Sequence, residues 1–302
     1  MALAGIASRD VQCTAMIVLD KILVATDFSD PSSQALRFAV VLARQYRAHI
    51  VLAHLFTGVD EFGRADASAS AYRAEREAAE RAVAEILASG AMEGISHEVL
   101  LEAGFFWETL DYLIRQKEIK LVAIGTSGAQ GSERESMGSH AELVFRNAGC
   151  PVLTAGPAIA RNPRPILDFK RILFATDFGE DARRAAAWAC SLARDFRAAL
   201  TLLHVLGGTG ASPQPQSSVL EETTKVRLVE AVPDDISKVC KVDCAVRYGD
   251  AAEQIATFAR ENDVDLIVMG TRSGRPLATH LPYPTAYTVA VSAPCPLITI
   301  RS

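Results

Sequence analysis

The sequence has no run of about 18 or more uncharged apolar residues, so no helix spanning a membrane is expected. It has no excess of positive charge either: 31 Lys and Arg stand against 36 Asp and Glu, a formal net charge of −5. Without a global positive field to hold a polyanion, nucleic acid is not an expected partner. A local phosphate site remains open, because backbone N–H groups supply one without net charge. Cysteine is sparse, with six residues in 302, which excludes a disulfide-dense scaffold. Cys240-x3-Cys244 has no second pair and no nearby histidines, so it does not read as a zinc site. The cysteines read as buried or half-buried reduced thiols, consistent with a cytosolic chain. No Gly-Lys-Ser/Thr is present, so the lysine of a P-loop is missing. No Gly-x-Gly-x-x-Gly follows the first strand, which argues against a dinucleotide dehydrogenase.

Apolar residues make up 49% and charged residues 22% of the chain, an ordinary globular balance that excludes disorder. A length of 302 residues points to two domains. An internal repeat supports this division. KILVATDFSDPSSQALRFAVVLARQYRAHIVLAHLF, from Lys21, aligns without a gap to RILFATDFGEDARRAAAWACSLARDFRAALTLLHVL, from Arg171. Both carry an Ala-Thr-Asp-Phe quartet, a Leu-Ala-Arg triplet and a late histidine. LVAIGTSG from Leu121 matches LIVMGTRSG from Leu266, and NAGCPVLTAG from Asn147 matches SAPCPLITI from Ser292. The expected organisation is an N-terminal leader over 1–20, a first domain over 21–157, a linker over 158–167 and a second domain over 168–302. Prolines in GPAIARNPRPILDF favour an extended linker over a regular helix.

Each copy alternates strand and helix. In the first, Ile22 to Thr26 is a short apolar strand of the kind buried on both faces. Asp30 is placed to cap the next helix, with Pro31 at its first position. Further strands are expected over Ile50–Phe56, His97–Glu102, Lys120–Ile124 and Val152–Ala155. Helices are expected over Ser70–Ala88 and Trp107–Lys117, and from Ser139 onward. A loose loop, GGTGASPQPQSS, is expected from Gly207 in the second copy. This alternation predicts parallel sheets with right-handed crossovers.

In such sheets ligands bind at the carboxyl ends of the strands, where the strand order reverses. Asp27 follows the first strand, and Gly125 and Gly128 follow the fourth. Glycines there let a backbone approach a ligand, or serve simply as turn residues. Gly138-Ser139 opens the fourth helix and offers N–H groups and a hydroxyl to an anion. Asp27 is an acceptor for a sugar hydroxyl or base amine, or else a helix-approach residue bonded to local backbone. Together they suggest a nucleotide across the strand ends, its phosphates on the Gly138 turn.

The signature Gly125-x2-Gly128-x9-Gly138-Ser139, with the early LVATDFS strand and the closing CPVLTAG strand, resembles the universal stress protein family in its tandem form. The resemblance covers nearly the whole chain after Asp20, twice. It implies an α/β fold of two tandem open-twisted five-stranded parallel-sheet sandwiches, Rossmann-like and of adenine nucleotide α-hydrolase type. The closing strands, Val152–Ala155 and Leu297–Ile300, would pair across a pseudo-two-fold, making an intramolecular pseudo-dimer and covering a sticky edge. Pairing of whole chains into a homodimer stays open. The implied ligand is adenine nucleotide: ATP, with ADP or AMP as alternatives, and Mg2+ as an optional companion. Carried over by position, the nucleotide-binding residues are Ala25, Thr26, Asp27, Leu55, Ile124, Gly125, Gly128, Gly138, Ser139 and His140. Ala25 and Leu55 stand where some ATP-binding members have other apolar residues.

The second copy departs from the motif. Asp177 is kept and Gly270 follows its fourth strand, but the next glycine is Gly274, one residue late, and Pro284-Thr285 replaces Gly-Ser. Proline has no N–H, so one phosphate donor is missing there. Arg272, Arg275 and His280 in that loop read as anion ligands or as a solvated face. The expectation is one competent site per chain, in the first domain. His54 and His204 read as hydrogen-bonded core or site-wall histidines, since no metal partners are visible by spacing. Glu133 and Glu135 read as exposed loop charge or as magnesium ligands. Ser139 lacks the Gly-x-Ser-x-Gly turn of a nucleophile, so anion binding is its expected role.

Three functions stand open. One is a nucleotide-binding stress-response regulator whose conformation or partner contacts follow the nucleotide. The second is a slow ATPase, supported only by the phosphate cradle, since no general base or lysine is placed by spacing. The third is a nucleotide-independent interaction scaffold. Protein partners are not named by the sequence.

Overall fold

The computed structural model describes residues 17–56, 69–127, 137–161, 168–207, 215–271 and 285–301. The N-terminal leader, Gly128, Glu133, Glu135, Arg272, Gly274, Arg275, His280 and Pro284 lie outside or almost wholly outside these residues.

The first half runs β1 (Lys21–Ala25), α1 (Asp30–Tyr46), β2 (His49–Phe56), α2 (Ala69–Ala88), β3 (His97–Ala103), α3 (Phe106–Gln116), β4 (Leu121–Gly125), α4 (Ser139–Asn147) and β5 (Val152–Ala155). After α5 (Pro157–Arg161), the second half repeats it as β6 (Arg171–Ala175), α6 (Glu180–Phe196), β7 (Ala199–Leu206), α7 (Pro215–Glu230), β8 (Val242–Tyr248), α8 (Ala251–Glu261), β9 (Leu266–Thr271), α9 (Thr285–Ser292) and β10 (Leu297–Arg301).

All ten strands join one sheet in the order β3-β2-β1-β4-β5-β10-β9-β6-β7-β8. Neighbours run parallel except β5 and β10, which meet antiparallel with Leu297 opposite Thr154 and Thr299 opposite Val152. The order reads the same from either edge, so the expected pairing of closing strands across a pseudo-two-fold is present. The Thr154 hydroxyl donates to the Leu297 carbonyl and the Thr299 hydroxyl to the Val152 carbonyl, each at 3.3 Å. These symmetric bonds satisfy hydroxyls buried within the seam.

Alternate residues of each strand feed two cores. Ile22 and Val24 face α1, and with Ile172, Phe174, Phe169 and α6 they build one continuous layer. Leu23, Ala25 and Val51 face the other side, against α3, α4, α8 and α9. Both layers cross from one half to the other, so the halves share their interior. The outermost strands β3 and β8 are the least buried, as edge strands are.

Three local expectations change. The N-cap of α1 is Ser29, not Asp30: its hydroxyl accepts the Ser32 N–H, and Asp30 sits in the first turn. The linker opens with a short helix, Pro157–Arg161, because proline at the first helical position has no intrahelical bond to lose. For the same reason α7 begins at Pro215, inside the stretch read as loop.

Candidate functional site

The strand order reverses between β1 and β4, and a cavity of about 480 Å3 opens at their carboxyl ends. Its floor is the turn after β1. There the Thr26 side-chain oxygen accepts the Phe28 N–H at 3.0 Å, and the Asp27 carboxylate accepts the Ser29 N–H at 3.1 Å and the Ser29 hydroxyl at 2.5 Å. Phe28 takes the left-handed region, φ 61°, so the chain reverses into α1. Asp27 is thus the helix-approach residue and also a wall of the cavity.

The second copy builds the same turn. Thr176 accepts the Phe178 N–H, Asp177 accepts the Gly179 N–H and Phe178 has φ 60°. The late histidines belong to it as well. His54 Nδ1 lies 2.8 Å from the Thr26 carbonyl oxygen and His204 Nδ1 lies 2.7 Å from that of Thr176. Each also packs on its phenylalanine, with ring centroids 4.8 and 4.6 Å apart. The Ala-Thr-Asp-Phe quartet therefore has a turn-building reason in both copies. What distinguishes the first is hydroxyl chemistry: Ser29 and Ser32 stand where the second copy has Gly179 and Ala182. Ser32 Oγ lies 3.2 Å from Thr26 Oγ1 and donates to the Ser29 carbonyl at 2.9 Å.

The opposite wall is the start of α4. Gly138 is its N-cap, with extended dihedrals of φ −65° and ψ 154°, and having no side chain it caps no N–H itself. Its own N–H is already used, donating to the Thr126 carbonyl at 2.8 Å. The first-turn N–H groups without an intrahelical acceptor at this turn are therefore those of Ser139, His140 and Ala141, while that of Gly138 is engaged. All three residues line the cavity.

Gly125 has a packing role besides its place on the cavity wall. A Cβ there would lie 2.6 Å from the Ser32 nitrogen and 2.7 Å from the Pro31 carbonyl carbon. Gly270 meets Asp181 and Ala182 in the same way, at 2.8–2.9 Å. Glycine at this position lets β4 or β9 touch the start of α1 or α6.

Of the sequence-derived site residues, Ala25, Thr26, Asp27, Leu55, Ile124, Gly125, Gly138, Ser139 and His140 all line this one cavity, and Gly128 lies outside the described residues. Further wall residues are Ser32, Ala53, His54, Glu75, Phe106, Thr126, Ser127 and Ala141. Thr126 Oγ1 is buried beside the cavity with no hydrogen-bond partner, as is Thr271 Oγ1 at the equivalent position of the second half, so this feature belongs to both copies. Phe106 stacks face to face on His140, with centroids 4.0 Å apart and planes 10° apart. Loss of water around His140 pushes its pKa below the ordinary imidazole value, while Asp27 pulls it the other way. The ring is consequently neutral at neutral pH and offers an apolar face. None of the described lining residues is lysine or arginine, and the described residues hold no cluster of three or more metal-ligating side chains.

The described cysteines are thiols, none of them in a disulfide. Burial pushes the Cys150 thiol up to about 12, leaving it inert. No described helix is long and apolar enough to cross a membrane.

The chain is 29% identical over 138 residues to a universal stress protein of Methanocaldococcus jannaschii, covering 44% of this chain and 79% of that protein. To a universal stress protein of Thermus aquaticus it is 33% identical over 141 residues, covering 44% of this chain and 99% of that one. The fold is similar to the crystal structure of a universal stress protein from Archaeoglobus fulgidus, with a TM-score of 0.66 at 18% identity over 94% of this chain and 99% of that chain. The universal stress protein family model matches residues 19–155 and again 168–301. By that double match, over most of its length, the chain belongs to the universal stress protein family.

Proposed function

We propose that the first half, residues 21–157, binds one adenine nucleotide, with ATP the preferred ligand, and that the chain acts as a stress-response regulator whose conformation or partner contacts depend on that nucleotide. The observation that carries this reading is the single cavity that gathers the nucleotide-site residues between the β1 turn and the α4 N-terminus. Its 480 Å3 is within the usual range for small-molecule sites. Asp27 and Leu55 form the base side. Ser139, His140 and Ala141 present N–H groups to the phosphates, where the helix dipole also favours negative charge. Any Mg2+ would arrive with the phosphates, with Glu133 and Glu135 of the loop before α4 as the carboxylates placed by sequence to hold it.

The test is to purify the chain without added nucleotide, denature it and quantify what is released by chromatography and mass spectrometry. About one ATP or ADP per chain is expected. None, with a blank ATP titration, would replace this reading with a nucleotide-independent scaffold. Gly138→Val should abolish retention with the fold intact, because its extended dihedrals admit a β-branched residue while the side chain crowds the anion turn. Circular dichroism checks the fold; unchanged retention would show the phosphates to lie elsewhere.

A further inference from the structure

The backbone leading into α4 is held by two hydrogen bonds, and they come from different halves of the molecule. The Gly138 N–H donates to the Thr126 carbonyl of the first half at 2.8 Å. The preceding N–H, that of Met137, donates to the Tyr287 hydroxyl oxygen of the second half at 3.0 Å. Tyr287 lies on α9 and is 4% exposed, and Met137 is 5% exposed, so the bond is shielded from water. The same phenol ring packs edge-on against Phe145, further along α4, with centroids 6.2 Å apart at 89°. One side chain of the second half thus touches α4 before its first turn and again beyond it.

The platform for Tyr287 is itself fixed to the first half. A Cβ on Gly156, just after β5, would lie 2.6 Å from the Ala290 carbonyl oxygen and 3.0 Å from that of Val291. Glycine there lets the end of β5 approach the last turns of α9 at backbone distance. Among the described residues the contact has no mirror image. The position related to Tyr287 by the seam is Glu142, ten residues before Val152 as Tyr287 is ten before Leu297. Glu142 instead pairs with Arg146 on its own helix.

We propose that Tyr287 is a positioning residue acting across the seam: its hydroxyl oxygen sets the anion-binding turn of the first half, so the second half regulates nucleotide affinity there. This rests on the proposed nucleotide reading of that cavity. A loosened Met137 N–H lets the Ser139, His140 and Ala141 donors move together, and a ligand gripped by that turn loses affinity. A ligand without phosphates does not.

The test compares wild type with Tyr287→Phe, which keeps the ring against Phe145 and removes the oxygen. Binding of ATP and of adenosine is measured by calorimetry, and exchange of the Met137 and Gly138 amides by hydrogen–deuterium methods. The expected result is ATP binding weakened about 3- to 10-fold, the size of one net hydrogen bond, with adenosine binding unchanged and exchange at 137–138 faster. Equal weakening of ATP and adenosine, or no change in either, overturns the proposal and leaves the nucleotide reading standing. Wild type that binds neither ligand overturns the nucleotide reading. Amide exchange then decides alone whether Tyr287 holds the turn: faster exchange in the variant supports it, and unchanged exchange overturns it.

Discussion

A Cβ on Gly125 has no space to occupy, because the backbone of Pro31 and Ser32 is already within 2.7 Å of where it would sit. Gly125→Ala is therefore expected to push the start of α1 outward and to cost about 1–3 kcal/mol by overpacking, read as a lower urea midpoint. Since Ser32 and Asp27 flank that displaced turn, nucleotide affinity should fall with it. Gly270→Ala should cost a similar amount of stability with no such loss of affinity. The sequence marks both glycines as special without separating the reasons, since a close approach by a helix and one by a ligand leave the same mark. Gly138 shows the converse: its place at the start of α4 is legible, yet its N–H is spent on Thr126 and the N–H groups left for the proposed phosphates lie one to three residues later. Thr126 and Phe106 were not legible at all. Their neighbours, the α4 turn and His140, are distant in sequence, and no local pattern announces them.

At the level of elements, the seam between β5 and β10 is the joint on which the architecture turns. Each half alone ends on a short apolar strand with an open edge, and pairing the two removes both edges. Ile298 lies in this seam opposite Leu153, fully buried in the layer shared by α1 and α6. Ile298→Asp should cost at least about 3 kcal/mol, because a carboxylate there has no partner and no water. Ile298→Val should cost about 0.5–1.5 kcal/mol. Thermal or urea unfolding of the two variants checks the ordering; equal costs would mean that the seam is not dry in solution. The alternation of strand and helix was readable from apolar runs and capping residues. The linker helix α5 was not, since proline signals a break inside a helix and a start at its first position, and only context separates the two.

Across the whole molecule, the halves are joined on both faces of the sheet. On one face, α9 meets α4 and Gly156. On the other, the Tyr46 hydroxyl at the end of α1 donates to the Asp195 carboxylate of α6 at 2.8 Å, and Tyr46 packs edge-on against Phe196. Burial, reinforced by that carboxylate, holds the Tyr46 phenol well above the ordinary tyrosine pKa, so it stays protonated in the fold. The stability from this bond is fully present below about pH 10, where tyrosine in the unfolded chain ionises, and is lost progressively as pH rises from there toward the raised value of the folded state. Tyr46→Phe should therefore lose about 1–2 kcal/mol at pH 7 and show a flatter decline between pH 9 and roughly 11 than wild type. Nucleotide retention should be unaffected, because Tyr46 is not among the cavity walls.

The sequence by itself determined the duplication, the order of strands and helices in each copy, and most of the walls of the first-half cavity. These are local matters: apolar period, caps, turn residues and a repeated motif each act over a few residues. The tertiary structure decided what lies between the copies. It joined two five-stranded sheets into one, with a core layer on each face running across the join, because two open apolar edges are more stable paired than wet. It also brought Tyr287 to the turn before Gly138, a contact between residues 150 positions apart that no repeat or spacing encodes.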